Sequence, residues 1–165
     1  MPVPVVAAVH GHCYGGGLQI ALAADLRMTT ADAQWSVLEA KWGLVPDMSG
    51  IQALSQQVRM DVAKRLTMTG EVVSGERAVD LGLASEVHAD PVAAATAFIE
   101  QVATRSPDAV AATKRLFGRT WSSSDRRTFA RERIEQAKLL ATKNTTIARE
   151  AAMKRAVPAF DPRRR

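Results

Sequence analysis

The chain has 165 residues, enough for one ordinary domain, and 47% of them are hydrophobic, which supplies a packed core and excludes a disordered chain. Only 5% are aromatic, so the core must be aliphatic, and the single cysteine, Cys13, excludes an internal disulfide. The net charge of +5 is uneven: residues 1–113 carry 7 basic and 12 acidic side chains, whereas residues 114–165 carry 15 basic and 5 acidic.

In chain order, residues 3–9 form a continuous apolar run of strand length, the pattern of a strand buried on both faces. Residues 16–24 read as a short helix and residues 25–30 as the next strand, together a βαβ unit. Residues 31–35 turn into a further short strand, 37–41 make one helical turn, and 43–50 are a loop broken by Pro46 and Gly50. Helices are predicted over 51–58 and 60–68, ending near Gly70. Ser74 caps a short helix through Leu81, Gly82 stands at its C-terminal stop, and 83–87 form a last short strand. Asp90-Pro91 and Ser106-Pro107 each place a capping residue before a proline at the first helical position, opening helices to about Thr104 and Thr120. The longest helix covers about 125–143, with Ala130, Ile134, Ala137 and Ala141 as its apolar face. A last helix covers 145–156, and Arg163, Arg164 and Arg165 form a frayed end. The chain thus divides into an α/β part, 1–88, and a helical part, 89–165. No run reaches membrane-spanning length, and residues 3–9 are too short and lack the basic flank of a signal peptide, so no membrane partner and a cytoplasmic location are expected.

The stretch His10-Gly11-His12-Cys13-Tyr14-Gly15-Gly16-Gly17-Leu18-Gln19 sits at the first strand-to-helix junction. Three adjacent glycines leave backbone N–H groups unscreened where a helix begins, a site suited to an oxyanion. Other glycine-rich chemistries fail on spacing. No Lys follows Gly17 as a phosphate loop requires, the G-x-G-x-x-G fingerprint is absent, and no G-x-S-x-G elbow occurs. Glycines alone would equally serve close packing of helix on strand.

The run from Pro2 through Arg27 resembles the signature of the crotonase (enoyl-CoA hydratase/isomerase) superfamily, and so does the block Ala33-Gln34-Trp35-Ser36-Val37-Leu38-Glu39-Ala40-Lys41-Trp42-Gly43-Leu44-Val45-Pro46-Asp47. The resemblance continues through Gly70, residues 78–82 and the C-terminal helices. It implies an α/β fold, a crotonase-like spiral of β-β-α turns followed by a helical region that assembles trimers and covers an acyl-CoA site. Relatives carry further turns before the first strand seen here. Those turns would supply the first oxyanion amide, and Gly16 the second.

The resemblance also implies site residues. Hydratases of the family flank a water with two glutamates. The first position holds Gln19 here, and an amide is no general base near neutral pH. The second, twenty residues on, is Glu39. Asp47 stands where family isomerases carry an acid, so Glu39 and Asp47 could move a proton on either side of an acyl chain; a local turn role for Asp47 is the alternative. Double-bond isomerisation is therefore slightly favoured over hydration. Gly15, Gln19, Leu38 and Trp42 are candidate substrate contacts, while Trp35, Leu38, Trp42 and Leu44 would serve equally as plain core. Phe160 resembles the C-terminal aromatic that meets the adenine of a neighbouring subunit's coenzyme A.

The expected partners are an acyl-CoA thioester and further copies of the chain, as a trimer or dimer of trimers. Coenzyme A enters as part of the substrate, and no separate cofactor is expected. His10 and His12 lack enough neighbouring ligands for a metal, and Cys13 reads as a small core residue. The basic tail suits a solvated face better than nucleic acid, since its aromatics are sparse. The alternative function is a non-catalytic family member serving as an oligomerisation or binding subunit.

Overall fold

A computed structural model describes residues 1–163; Arg164 and Arg165 of the expected frayed end lie outside the described residues. Two sheets occupy residues 5–97, and the chain visits them alternately. In the first, β1 (Val6–Val9) pairs in parallel with β3 (Leu26–Thr29), and β3 in parallel with β6 (Glu86–Val87). In the second, β2 (His12–Tyr14) pairs in parallel with β4 (Gln34–Ser36), and β4 antiparallel with β5 (Val73–Ser74). Val6 stands opposite Leu26, and His12 opposite Gln34. The pair β1–β2 is thus repeated by β3–β4, each strand lying parallel to its counterpart, the mixed α/β arrangement of a β-β-α spiral.

Helices connect the strands: α1 (Gly16–Leu22), a 3-10 turn at Leu38–Trp42, α2 (Gly50–Gln57), α3 (Met60–Thr69) and α4 (Gly75–Leu81). Ser74 caps α4 by accepting from the Arg77 N–H, and Gly82 closes it at φ 86°. The core is aliphatic around one aromatic. Leu18, Leu54, Leu66 and Leu83 are each at most 1% exposed, and Trp35 is fully enclosed. Burying each leucine contributes about 2 kcal/mol. The Trp35 indole N–H donates to Thr29 Oγ1 at 3.0 Å, so one side chain of β4 ties the second sheet to the first. Buried Arg27 does similar work on β3, donating to the carbonyls of Leu83 and Ala24. Burial pulls its pKa below the ordinary guanidinium value, and Asp25 partly opposes that.

One local expectation gives way, and two strands stand where none is predicted. The first strand begins at Val6, and its four residues are only half-buried; among the described residues β1 is the edge of its sheet. His12–Tyr14 is a strand hidden inside the glycine-rich stretch; three residues are too few for a period to show. β5 is shorter still, only Val73 and Ser74.

A second compact unit contains Met1–Pro4 and the chain from Phe98 onward. The division falls within α5 (Pro91–Ala103), capped by Asp90, whose carboxylate accepts from the Val92 and Ala93 N–H groups. Then come α6 (Pro107–Thr120), α7 (Asp125–Leu140) and α8 (Lys143–Lys154). Ser106 caps α6 with Pro107 at its first position, and Thr142 caps α8, which begins at Lys143, two residues earlier than predicted. The face of α7 is a correction. Ala130, Ile134, Ala137 and Ala141 are exposed, and the side turned inward carries Glu135, 6% exposed. Glu135 accepts from Arg115 of α6 at 2.6 Å, so a charged pair rather than an alanine stripe joins the two helices.

Candidate active site

The strand-to-helix turn depends on Gly15. Its backbone stands at φ 49°, ψ −119°, a conformation that side-chain-bearing residues rarely adopt. Its N–H donates to the Ser36 carbonyl at 3.0 Å, and its carbonyl accepts from the Gln19 N–H at 3.0 Å. The turn is therefore fixed to β4 on one side and to α1 on the other. Gly16 opens α1, and its N–H has no acceptor within the helix.

Glu39 comes to this turn from the other direction. After β4, Val37 leads into the 3-10 turn, which Gly43 ends in the left-handed region at φ 69°. That short turn presents the Glu39 side chain to Gly15. A Cβ built on Gly15 would stand 3.5 Å from Glu39 Oε1, an ordinary contact distance, so the carboxylate lies against the turn while the positive φ alone accounts for glycine there. The remaining oxygen, Glu39 Oε2, is enclosed and has no hydrogen-bond partner among the described residues. A buried carboxylate oxygen without a donor leaves its lone pairs unused by the protein.

Gln19, 3% exposed, lies between Glu39 and the loop that follows. Its Nε2 donates to Glu39 Oε1 at 2.6 Å. Its Oε1 accepts from the N–H groups of Met48 at 2.8 Å and Gly50 at 3.0 Å. Met48 Sδ reaches within 3.4 Å of the position of a Cβ on Gly16. The backbone contacts of Gly50 and the reach of Met48 were not evident in the sequence. Gly50 read only as a loop breaker, and nothing in the order of residues links either to Gln19.

The other candidates are placed less centrally. Asp47 is exposed and makes no hydrogen bond or ion pair among the described residues. Leu38 is half-buried, while Trp42 and Leu44 are 69% and 64% exposed and so are not core. Trp35 is core outright. Phe160 belongs to the helical unit, half-buried and lining a cavity of about 580 Å³ with Pro2, Val3, Ile99, Val102 and Val110. Cys13 is buried, and burial pushes its thiol up to about 11, the opposite of an activated nucleophile. Among the described residues, no three His, Cys, Asp or Glu side chains are grouped to hold a metal, and no helix is long and apolar enough to cross a membrane.

The family model for enoyl-CoA hydratase/isomerase matches residues 1–161. An (E)-benzylidenesuccinyl-CoA hydratase of Thauera aromatica is 39% identical over 114 residues, 67% of this chain and 44% of that protein. A carnitinyl-CoA dehydratase of Proteus mirabilis is 33% identical over 119 residues, 71% of this chain and 46% of that protein. A solved enoyl-CoA hydratase of Mycobacterium tuberculosis superposes with a TM-score of 0.92 at 30% identity, covering 97% of this chain and 64% of its own. The chain thus spans less than half the length of these two curated relatives and about two thirds of that solved structure. It belongs to the enoyl-CoA hydratase/isomerase family, the crotonase superfamily.

Proposed function

We propose that this chain carries the proton-transfer part of an acyl-CoA enzyme of the hydratase/isomerase class. The observation that carries the reading is the Glu39 carboxylate beside Gly15, with Oε2 enclosed and unpartnered next to the backbone that opens α1. An acyl-CoA thioester would place its carbonyl oxygen at the Gly16 N–H. Negative charge developing on that oxygen is stabilised there while Glu39 removes or returns a proton on the acyl chain. Coenzyme A is the handle of the substrate, and Phe160 is the aromatic proposed to meet the adenine of a neighbouring copy's coenzyme A. The exposed apolar residues of α7, Phe129, Ile134 and Leu140, support assembly with further copies of the chain.

Gln19 favours double-bond isomerisation. Its carboxamide fills the position of a second acid and cannot activate water, so Glu39 shuttles a proton alone or with Asp47. Hydration is the second reading, favoured by the hydratase and the dehydratase among the relatives. Incubation of the folded chain with an enoyl-CoA separates the two. Hydration adds the mass of one water, and isomerisation moves the double bond at constant mass. Neither change, with exchange of acyl protons also absent, rejects the enzyme.

A further inference from the structure

We propose that Gln19 is a positioning residue: its carboxamide, locked by the backbone of residues 48–50, orients Glu39 so that Oε2 is the oxygen that exchanges a proton with the acyl group. This rests on the reading of Glu39 as the proton carrier. Two backbone donors, Met48 N–H and Gly50 N–H, converge on Gln19 Oε1. Their convergence settles which end of the carboxamide is oxygen, since the reversed amide would set N–H groups against N–H groups. Nε2 is then left facing Glu39 and donates to Oε1 at 2.6 Å. With Gln19 only 3% exposed, water does not compete for these bonds.

The consequence for Glu39 is an asymmetry between its two oxygens. Oε1 is held by a donor, and Oε2 keeps its lone pairs. A carboxylate held at one oxygen cannot swing about its terminal torsion, so the reacting oxygen is selected before substrate arrives. A glutamate at position 19 could accept from Met48 and Gly50 equally well. It could donate to Glu39 only by carrying a proton, making the two residues a shared acid pair. The choice of glutamine thus leaves Glu39 as the one carboxyl group of this contact. The loop is shaped to the same end. A Cβ on Gly50 would stand 2.7 Å from Gln19 Oε1, so the absent side chain lets the loop grip the carboxamide.

The test uses the whole chain with Gln19→Leu and Gln19→Glu, and Glu39→Gln as reference. The first readout is the Gln19 side-chain amide resonance of the unmodified protein. It is expected to lie downfield and to move in Glu39→Gln; a resonance indifferent to that substitution overturns the proposal. The second is deuterium uptake at the acyl carbons of butyryl-CoA together with the pH profile of crotonyl-CoA turnover. Gln19→Leu is expected to lower kcat by about 10- to 100-fold with KM little changed, as for a misoriented group. The acid limb of kcat/KM should move to higher pH in Gln19→Leu and further in Gln19→Glu, where two carboxyls share a site. Folded Gln19→Leu with unchanged kcat and pH profile overturns the proposal. No deuterium uptake by the unmodified chain overturns the enzyme reading and with it the role of Oε2, whereas a failed resonance test with uptake intact overturns the Gln19 contact alone.

Discussion

The Gly50 N–H donates to Gln19 Oε1 at 3.0 Å, in a space where a Cβ on residue 50 would stand 2.7 Å from that oxygen and 2.7 Å from Pro46 Cβ. The loop after the 3-10 turn therefore closes on Gln19 because residue 50 has no side chain. Gly75 is tighter still, since a Cβ there would fall 1.9 Å from the Thr30 carbonyl oxygen, which is backbone and cannot rotate away.

These two glycines give a ranked prediction. Gly50→Ala should lower stability by about 1–3 kcal/mol, because Gln19 Oε1 and Pro46 Cβ are side-chain atoms that can shift at the cost of the Gln19 hydrogen bonds. Gly75→Ala should cost about 3 kcal/mol or more, because β3 and the start of α4 must separate. Denaturant midpoints measured side by side decide it; equal midpoints for the two variants contradict the ranking.

Glu39→Gln separates chemistry from folding. The substitution removes the proton carrier and keeps the shape, so proton transfer to an acyl-CoA should fall by about 10²- to 10⁴-fold. Stability should be unchanged or slightly raised, since a buried carboxylate oxygen without a donor is replaced by a neutral amide. Activity and thermal melting of the same preparations test both halves. A variant that loses activity only by unfolding would remove Glu39 from the reaction.

Much of the arrangement was legible because it is local. The glycine triplet, the Ser74 and Ser106 caps and the Gly82 stop each announce themselves within three or four residues. Glu39 and Gln19 were legible as a pair through the family motif. Their hydrogen bond was not, because which atom faces which depends on Met48 and Gly50, thirty residues away along the chain. The α7 face was misread for a related reason. Spacing shows that alanines recur on one side but not which side meets α6, and the Arg115–Glu135 pair decided that. β2 and β5 escaped because pairing with β4, not any period of their own, makes them strands.

Cys13 offers a test of the core beneath the site. Its thiol is raised from an ordinary 9.0 to about 11 by burial. The unfolded chain therefore loses this proton first, and stability should fall as pH rises from about 9 to about 11, by about 2–3 kcal/mol in all. Below pH 9 the two states hold the proton equally and the group contributes no slope. Cys13→Ala should flatten this decline, which distinguishes the thiol from lysine and tyrosine ionisation. In the native state at pH 8 a maleimide should label Cys13 only at the rate of opening; rapid labelling would contradict its burial.

The Glu135–Arg115 pair sets the acid limit of the helical unit. The Arg115 guanidinium holds the Glu135 carboxyl below its ordinary 4.5, its hydrogen bond outweighing the opposing effect of burial, with Lys138 adding a smaller attraction. A depressed folded-state pKa means that the pair contributes fully above about pH 4.5 and progressively less as pH falls through the folded-state value. Arg115 is partly exposed, so solvent screening keeps the contribution to about 1–2 kcal/mol. Glu135→Gln should lower stability by that amount at pH 7 and by less at an acid pH, as the unmodified chain loses the same interaction on falling through the folded-state value. Denaturation curves of both proteins at the two pH values test this. A gap that stays constant between them would mean that α6 and α7 are joined by packing alone.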